Sequence, residues 1–469
     1  MDFVAKTFVA KKMRVKMGKK LPNSISTTNA CKLCRPLGAC LAFRGVEGAV
    51  PFLHGSQGCA TYMRRYIISH FNEPIDIASS SLGEKNAIYG GGANLKQGLR
   101  NVTAKYAPQL IGIATTCLTE TIGDDVAMIL NEYEREFGAE GELPAMVRVS
   151  TPSYAGTHME GFHGAVRALV EQLATAGEAG ESVNFLPGFV SAADLRYLKE
   201  VVAEFGLTAT VLPDYSDTLD GPALADYPLI PAGGTPVAAI RAMGTNRATI
   251  EFGRTLGEKE GGGPLLAERF GVPLHRLGLP IGLRESDRFF ASLLELAGQP
   301  VPKHHTAARG RLIDSLVDGH KYLSGKKAVV YGEEDLVVGL TSFLVEIGVQ
   351  PVLCASGGKS GRLAQAIREV IGELPVAMPV VREDVDFHDI EEAAMALAPD
   401  FLLGHSKGYA MARRAGIPLI RVGFPIHDRL GGQRILHLGY QGAQQLFDLM
   451  VNTLIAKKQD DSPVGYSYM

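Results

Sequence analysis

The chain has 469 residues, which is too long for one compact domain and predicts roughly three. Hydrophobic residues make up 46% and charged residues 21%, the balance of an ordinary soluble globular protein. The net charge of −3, the low aromatic content and the lack of tryptophan argue against a nucleic-acid partner, and no apolar run approaches the ~20 residues of a membrane span.

The N-terminus is basic between residues 11 and 20 but has no apolar segment behind it. This pattern does not match a signal peptide, so we expect a cytoplasmic protein. The simplest interpretation of the segment is a solvated arm, and contact with a polyanion or a docking partner is the alternative.

The first part of the chain, up to about residue 175, is expected to form an α/β domain with long loops rich in glycine and cysteine. A helix is predicted over residues 60–70, a buried strand over 110–114 and a strand end at 149–150. A helix-like stretch also follows Cys34.

The rest of the chain alternates strands and helices in two cycles. Predicted strands lie at residues 183–189, 208–212, 248–252, 273–279, 327–331, 351–354, 401–404 and 418–422. Predicted helices lie at residues 192–205, in the 260s, and at 285–296, 336–347, 363–371 and 442–454.

Short apolar strands between helices are typical of parallel sheets covered on both faces. We therefore predict an α/β fold of three doubly wound, Rossmann-like domains. The predicted boundaries are 1–180 for a cluster-binding domain, 181–300 for a second domain and 301–469 for a third with a C-terminal helix. Linkers are expected near residues 176–181 and 300–309.

Five of the six cysteines lie in the first quarter of the chain, which points to metal or redox chemistry rather than disulfides in a cytosolic protein. Cys34, Cys59 and Cys117 each sit at a loop that opens a helix. Helix N-termini lower a thiol's pKa and donate hydrogen bonds to a thiolate or cluster sulfide. Soft thiolates select iron–sulfur clusters, zinc or copper(I).

Structural roles for the single residues compete with the interpretation as a metal site. A single cysteine is most often a packing residue, which is how we interpret Cys40 and Cys354. Cys31 and Cys34 form a Cys-x-x-Cys pair that could bind zinc or exchange disulfides, although no second pair or histidine pair accompanies it. Ser153 lies in a turn-rich loop and alone predicts only a cap or turn.

The polar residues near the cysteine loops are interpreted as structural rather than catalytic. We expect histidines to act as hydrogen-bonding groups, the arginines after Cys59 to form a solvated face, and the acidic residues after Cys117 to charge a helix start. These residues are His54, His70, His158, Arg64, Arg65, Glu120, Asp124 and Asp125.

Four motifs in order resemble the nitrogenase component 1 β-subunit family. They are Cys-Arg-Pro-Leu-Gly-Ala at 34–39, His-Gly-Ser-Gln-Gly-Cys at 54–59, Thr-Thr-Cys-Leu-Thr-Glu-Thr-Ile-Gly-Asp-Asp at 115–125 and Thr-Pro-Ser at 151–153. Further similar stretches lie at 214–220, 233–235, 314–320, 331–335 and 423–425. The resemblance therefore covers most of the chain.

The resemblance implies that Cys34, Cys59 and Cys117 ligate a P-cluster, an eight-iron, seven-sulfur relay shared with the partner subunit, with Ser153 able to bind one iron. A simpler four-iron cluster is the alternative cofactor. The implied partners are an α-like subunit, in a heterotetramer of two α-like and two β-like chains, and an ATP-dependent iron–sulfur reductase homodimer. The substrate-reducing cofactor would lie in the α-like partner, so no catalytic acid or base is assigned here.

The family scaffold leaves several functions open. The chain could be a catalytic subunit of nitrogenase itself or of a nitrogenase-like reductase such as methylthio-alkane reductase. It could also be the β-like subunit of the scaffold that assembles the iron–molybdenum cofactor, which the stretches at 62–65, 72–81 and 464–469 also resemble. The complete ligand set favours the catalytic subunit. A small-molecule-binding α/β protein is a further alternative, although neither of the glycine triplets, at 90–92 and at 261–263, forms a dinucleotide-binding fingerprint.

Overall fold

A computed structural model describes residues 29–465, with the exception of residues 140 and 373. The predicted solvated arm at residues 11–20 therefore lies outside the described residues, as does the tail at 466–469. Within the described part, every strand pairing in the three sheets is parallel. In the same part of the chain, no helix has the length and apolar composition needed to cross a membrane.

The first sheet is built from the N-terminal part of the described chain. Its strands are β1 (Ala49–His54), β2 (Ala78–Ser79), β3 (Leu110–Thr115) and β4 (Ala145–Val149). Its helices are α1 (Arg35–Arg44), α2 (Gln57–Phe71), α3 (Asn86–Tyr89), α4 (Gly92–Tyr106), α5 (Cys117–Ile122), α6 (Val126–Phe137) and α7 (His158–Leu173). The strand order is β2-β1-β3-β4. Val50 and Phe52 of β1 pack into one core, while Ala49 and Leu53 pack into another, so helices cover both faces.

The second sheet has the order β6-β5-β7-β8, with β5 (Val183–Leu186), β6 (Ala209–Val211), β7 (Ala248–Phe252) and β8 (Leu274–Leu277). Its helices are α8 (Ala192–Glu204), α9 (Val237–Ala242), α10 (Gly262–Phe270) and α11 (Gly282–Ala297), with a 3-10 turn at Met243–Thr245. Ser191 caps α8, as its hydroxyl accepts the N–H of Asp194 at 2.9 Å.

The third sheet contains β9 (Lys327–Tyr331), β10 (Gln350–Ala355), β11 (Val380–Arg382), β12 (Phe401–Gly404) and β13 (Leu419–Arg421), in the order β11-β10-β9-β12-β13. Its helices are α12 (Lys303–Leu323), α13 (Glu334–Glu346), α14 (Leu363–Ile371), α15 (Phe387–Leu397), α16 (Tyr409–Ala415) and α17 (Gly439–Asp461). Short 3-10 turns lie at Ser406–Gly408 and Gly432–Arg434.

In each sheet the first strand is central and the chain builds outward on both sides, which confirms the predicted doubly wound α/β fold. The domain boundaries at residues 180 and 300 stay a prediction. The predicted linker at 300–309 was wrong beyond residue 302, since α12 begins at Lys303. Two histidines follow the first residue of this helix, which also contains Gly310 and Gly319, so its local helical signal is weak, and packing against α17 compensates.

Helices α1 and α7 approach each other with almost no space between their backbones. A Cβ atom built on Gly38 would lie 1.6 Å from the carbonyl oxygen of His158, and one built on Gly161 would lie 1.8 Å from that of Arg35. Glycine is therefore needed at both positions for the helices to pack this closely. This contact fixes the start of α1, where Cys34 lies, against the start of α7.

Candidate metal centre

The carboxyl edge of the first sheet carries three of the four predicted site residues. Cys59 follows β1, Cys117 follows β3 and Ser153 follows β4. Because parallel strands end at the same edge of a sheet, these loops meet there. The first two loops are joined directly, since the Thr116 hydroxyl donates to the carbonyl of His54 at 3.1 Å.

The fourth residue, Cys34, reaches this edge from α1. It is the N-cap of that helix, with extended backbone geometry. Ser153 connects it to the other loops, because the Ser153 hydroxyl accepts the N–H of Arg35 at 3.2 Å, while its own N–H donates to Cys117 Sγ at 3.2 Å. Ser153 therefore lies between two of the thiols.

The three thiols lie close enough together for their charges to interact. Burial raises the pKa of the Cys34 thiol, a hydrogen bond with Ser153 lowers it, and negative charge on Cys117 and Cys59 raises it. The structure thus brings together all four residues predicted from the sequence. Their role as ligands stays a prediction.

Each thiol lies at a helix start, where backbone N–H groups have no partner within the helix. Cys59 is the third residue of α2 and Cys117 the first residue of α5. Cys117 is exposed, while Cys34 and Cys59 are half-buried. Tyr154, next to Ser153, exposes 68% of its surface. The thiols therefore face outward from this chain, so a bound group could also contact a second chain.

A single bound ion requires its thiolate ligands to lie close together. A zinc ion bound about 2.3 Å from each sulfur holds its thiolates roughly 4 Å apart. Among the described residues, no group of three potential ligands that includes these thiols has its ligand atoms within 4.8 Å of one another. Soft thiolates are the ligand type that iron–sulfur groups take.

Cys31 does not join the other thiols, although it forms a Cys-x-x-Cys pair with Cys34. It is buried, its Sγ lies 3.7 Å from Nε2 of His405, and both cysteines are free. Burial raises the pKa of the Cys31 thiol to about 12, so it is a neutral thiol at ordinary pH. This geometry disfavours the zinc and disulfide-exchange interpretations of the pair.

Residues distant in sequence hold the segment 30–33 that precedes Cys34. The His158 ring accepts the N–H of Leu33 at Nδ1 (3.3 Å), and its Nε2 lies 3.2 Å from the buried carboxylate of Glu333. Lys407 Nζ donates to the carbonyl of Ala30 at 2.8 Å. Sequence reasoning assigned no role to Glu333 or Lys407. The one signal for Glu333 was its place in the family-like stretch at 331–335.

The nearby histidines are hydrogen-bonded, as predicted. Nδ1 of His54 lies 2.9 Å from the Ser80 hydroxyl, and Nε2 lies 3.0 Å from the carboxylate of Asp124. His70 accepts the N–H of Ile426 at 2.9 Å. Each ring therefore has a structural partner that links two segments of the chain.

The remaining polar and cysteine predictions are also confirmed. Asp125 caps α6 by accepting the N–H of Met128 at 2.9 Å. Arg64 and Arg65 are exposed on α2. Cys40 and Cys354 are fully buried in cores, where they serve as packing residues.

The fold defines an α/β protein of three doubly wound sheets, and comparison with known families gives its class. Residues 34–455 match the family described as nitrogenase component 1 type oxidoreductase. The chain belongs to this oxidoreductase family, which confirms the resemblance inferred from the four motifs.

Individual relatives place the chain among the β-type subunits. It is 33% identical to the nitrogenase molybdenum–iron protein beta chain of Clostridium pasteurianum, covering 92% of this chain and 93% of that one. It is 35% identical to the beta chain of Methanothermobacter thermautotrophicus, covering 91% and 94%. A solved chain of nitrogenase Cp1 at pH 6.5 superposes with a TM-score of 0.92 at 31% identity, covering 96% and 98%.

Proposed function

We propose that this chain is the β-type subunit of a two-component nitrogenase-like reductase and holds half of an iron–sulfur relay. The proposed ligands are Cys34, Cys59 and Cys117, with Ser153 as a fourth ligand to one iron. An α-like subunit supplies the remaining ligands, and two such pairs form the heterotetramer. The observation that carries the proposal is the convergence of these four side chains at one outward-facing sheet edge.

An iron–sulfur cluster at this place supplies reversible one-electron transfer. Cys34, Cys59 and Cys117 would hold the cluster, and the residues around them would order its surroundings and limit its contact with water. The Ser153 hydroxyl lies beside the proposed ligands, since it accepts the N–H of Arg35 and forms a hydrogen bond with the Cys34 thiol. Lys407, half-buried behind the segment 30–33, contributes a positive charge close to Cys34. A cation near a reduced cluster stabilises its extra electron.

The proposal also includes an electron donor and a catalytic partner subunit. An ATP-driven iron–sulfur reductase delivers electrons to the relay, and the α-like subunit holds the substrate-reducing cofactor. Both nitrogenase and methylthio-alkane reductase chemistry are compatible with a β-type subunit of this kind, because the substrate binds on the other chain. The relatives named above are nitrogenase chains, which keeps dinitrogen reduction among the candidates.

The test is anaerobic co-purification with the α-like partner, an iron count and EPR of reduced and oxidised forms. We expect about eight irons per pair at the interface, in keeping with a relay of P-cluster type. Cys117→Ala should lower the iron count, and Ser153→Ala should change the EPR signal of the oxidised form. Cys354→Ala is the matched control, because its thiol is buried in the third sheet, and Cys31→Ala tests the Cys-x-x-Cys pair; both variants should keep the wild-type iron count.

The contrary outcome is equally specific. The proposed relay would be wrong if the complex held about four irons per pair, if Ser153→Ala had no spectroscopic effect and if Cys34 or Cys117 were dispensable. Such results would indicate a simpler four-iron cluster. That result favours a cofactor-assembly scaffold. Iron loss in Cys31→Ala equal to that in Cys117→Ala would instead point to a Cys-x-x-Cys metal site.

A further inference from the structure

A second group of potential metal ligands lies far from the cysteines, between α8 and α12. Glu204 is the last residue of α8, and His304 and His305 are the second and third residues of α12. Nε2 of His304 lies 3.0 Å from Oε2 of Glu204, and Nε2 of His305 lies 2.6 Å from the same oxygen. In the part of the chain that the structure describes, this trio alone has ligand atoms within 4.8 Å of one another.

The distances match those of a small coordination sphere. Ligands about 2.0–2.1 Å from a tetrahedral zinc ion lie roughly 3.3 Å apart. The two nitrogen–oxygen distances, 3.0 and 2.6 Å, are shorter than that value by about 0.3 and 0.7 Å, so the exposed side chains of Glu204 and His304 would rotate outward to admit an ion. Two imidazoles and a carboxylate form a ligand set that suits zinc and related divalent transition metals.

One ligand is held rigidly and the others can adjust. His305 is 2% exposed, its ring packs 4.8 Å from that of Phe290, and its Nδ1 is buried without a hydrogen-bond partner among the described residues. The side chains of Glu204 and His304 are 41% and 51% exposed. The buried ring thus directs Nε2 toward a position that solvent and metal ions can reach.

The local charges also fit a cation. Burial lowers the pKa of His305, the hydrogen bond with Glu204 raises it, and a charge on His304 lowers it, with a net decrease. Neutral imidazole is the form that binds metal. The carbonyl end of α8 favours a cation at Glu204, which offsets the unfavourable N-terminus of α12.

We propose that Glu204, His304 and His305 form a three-ligand site for a divalent transition-metal ion such as zinc, with water completing the coordination. The ion would join the end of α8, in the second sheet's layer of helices, to the start of α12, which leads into the third sheet. This proposal does not rest on the relay proposed above.

The test is a zinc titration of the full-length chain, in complex with its partner, against a chromophoric chelator. The wild type should bind one zinc more than His304→Ala or Glu204→Gln, each of which should weaken that site at least tenfold. Both side chains are exposed, so the variants should fold. His320→Ala removes an exposed histidine from the same helix and should bind zinc like the wild type.

X-ray absorption at the zinc edge separates this site from the cysteines. We expect a shell of nitrogen and oxygen at about 2.0–2.1 Å with imidazole scattering, whereas thiolate ligation gives sulfur at about 2.3 Å. Zinc should also raise the melting temperature of the wild type and not of His304→Ala. Equal zinc binding by all variants, a sulfur shell for the additional ion, or no additional ion would overturn the proposal.

Discussion

Glu334 is a buried carboxylate in the first turn of α13. Burial raises its pKa from 4.5 to about 7, hydrogen bonds from Ser360 lower it, and the negative charges of Glu383 and Asp335 raise it. Because the folded pKa lies above the unfolded one, protonated Glu334 stabilises the fold at acidic pH. That contribution is full below about pH 4.5 and is lost as the pH rises through 7.

Glu334→Gln should remove this pH dependence, because glutamine resembles the protonated acid. The unfolding free energy of the variant relative to that of the wild type should increase by about 2–3 kcal/mol as the pH rises from about 5 to about 8. Urea unfolding at both pH values measures the difference. Glu268→Gln, at an exposed position of α10, is the control and should show no such change. A constant difference between Glu334→Gln and wild type would contradict the raised pKa.

At the scale of residues, the sequence predicted the four site side chains because each lies in a local motif with glycine or a helix start beside it. It could not predict that His158 and Glu333 form a buried pair behind Cys34, or that Cys31 turns away toward His405. These contacts join segments that meet only through tertiary packing. No periodicity or spacing in the sequence encodes them.

At the scale of elements, the contact between α1 and α7 gives a sharp prediction. Gly161→Ala places a methyl group on the carbonyl of Arg35 and should destabilise the protein by about 1–3 kcal/mol or more. Since Arg35 follows Cys34, we also expect less iron in the purified complex. Thermal unfolding and an iron count measure the two effects.

Gly164→Ala is the matched control, one turn further along α7. A Cβ atom there meets only Val149, at an ordinary distance of 3.5 Å. The unfolding free energy of this variant should rise by roughly 0.5–1 kcal/mol, since alanine is a better helix former than glycine. Equal behaviour of the two variants would show that the close helix contact does not limit packing.

Elements with strong local patterns were predicted almost to the residue. Strands β7, β9 and β12 and helix α14 have the predicted bounds, because apolar runs or helical spacing end at glycine or polar turns. The elements that were missed are strands β1, β2 and β11 and helices α3, α4, α6, α7, α9, α12, α15 and α16. Strand β11 has three residues, and α12 contains a glycine, so pairing and packing with distant elements decide their structure.

At the scale of the whole molecule, Asp194 joins the second sheet's helices to the segment before α17. Its buried carboxylate accepts the N–H groups of His437 and Leu438 at 2.7 and 3.1 Å and contacts Nδ1 of His437 at 2.9 Å. Asp194→Ala leaves these donors buried without a partner and should cost about 3 kcal/mol or more.

Thermal or urea unfolding measures this loss. Glu200→Ala removes an exposed carboxylate from the same helix and should stay within about 0.5 kcal/mol of wild type. If Asp194→Ala unfolds like Glu200→Ala, the carboxylate does not couple these parts of the molecule.

The outward-facing thiol edge has a thermodynamic consequence. If Cys34, Cys59 and Cys117 hold a cluster that a second subunit completes, metal retention and subunit association are linked by reciprocity. If the partner raises the affinity for the metal group by some factor, the metal group raises the affinity for the partner by the same factor. Dilution that separates the subunits then releases metal, and a chelator that removes metal separates the subunits.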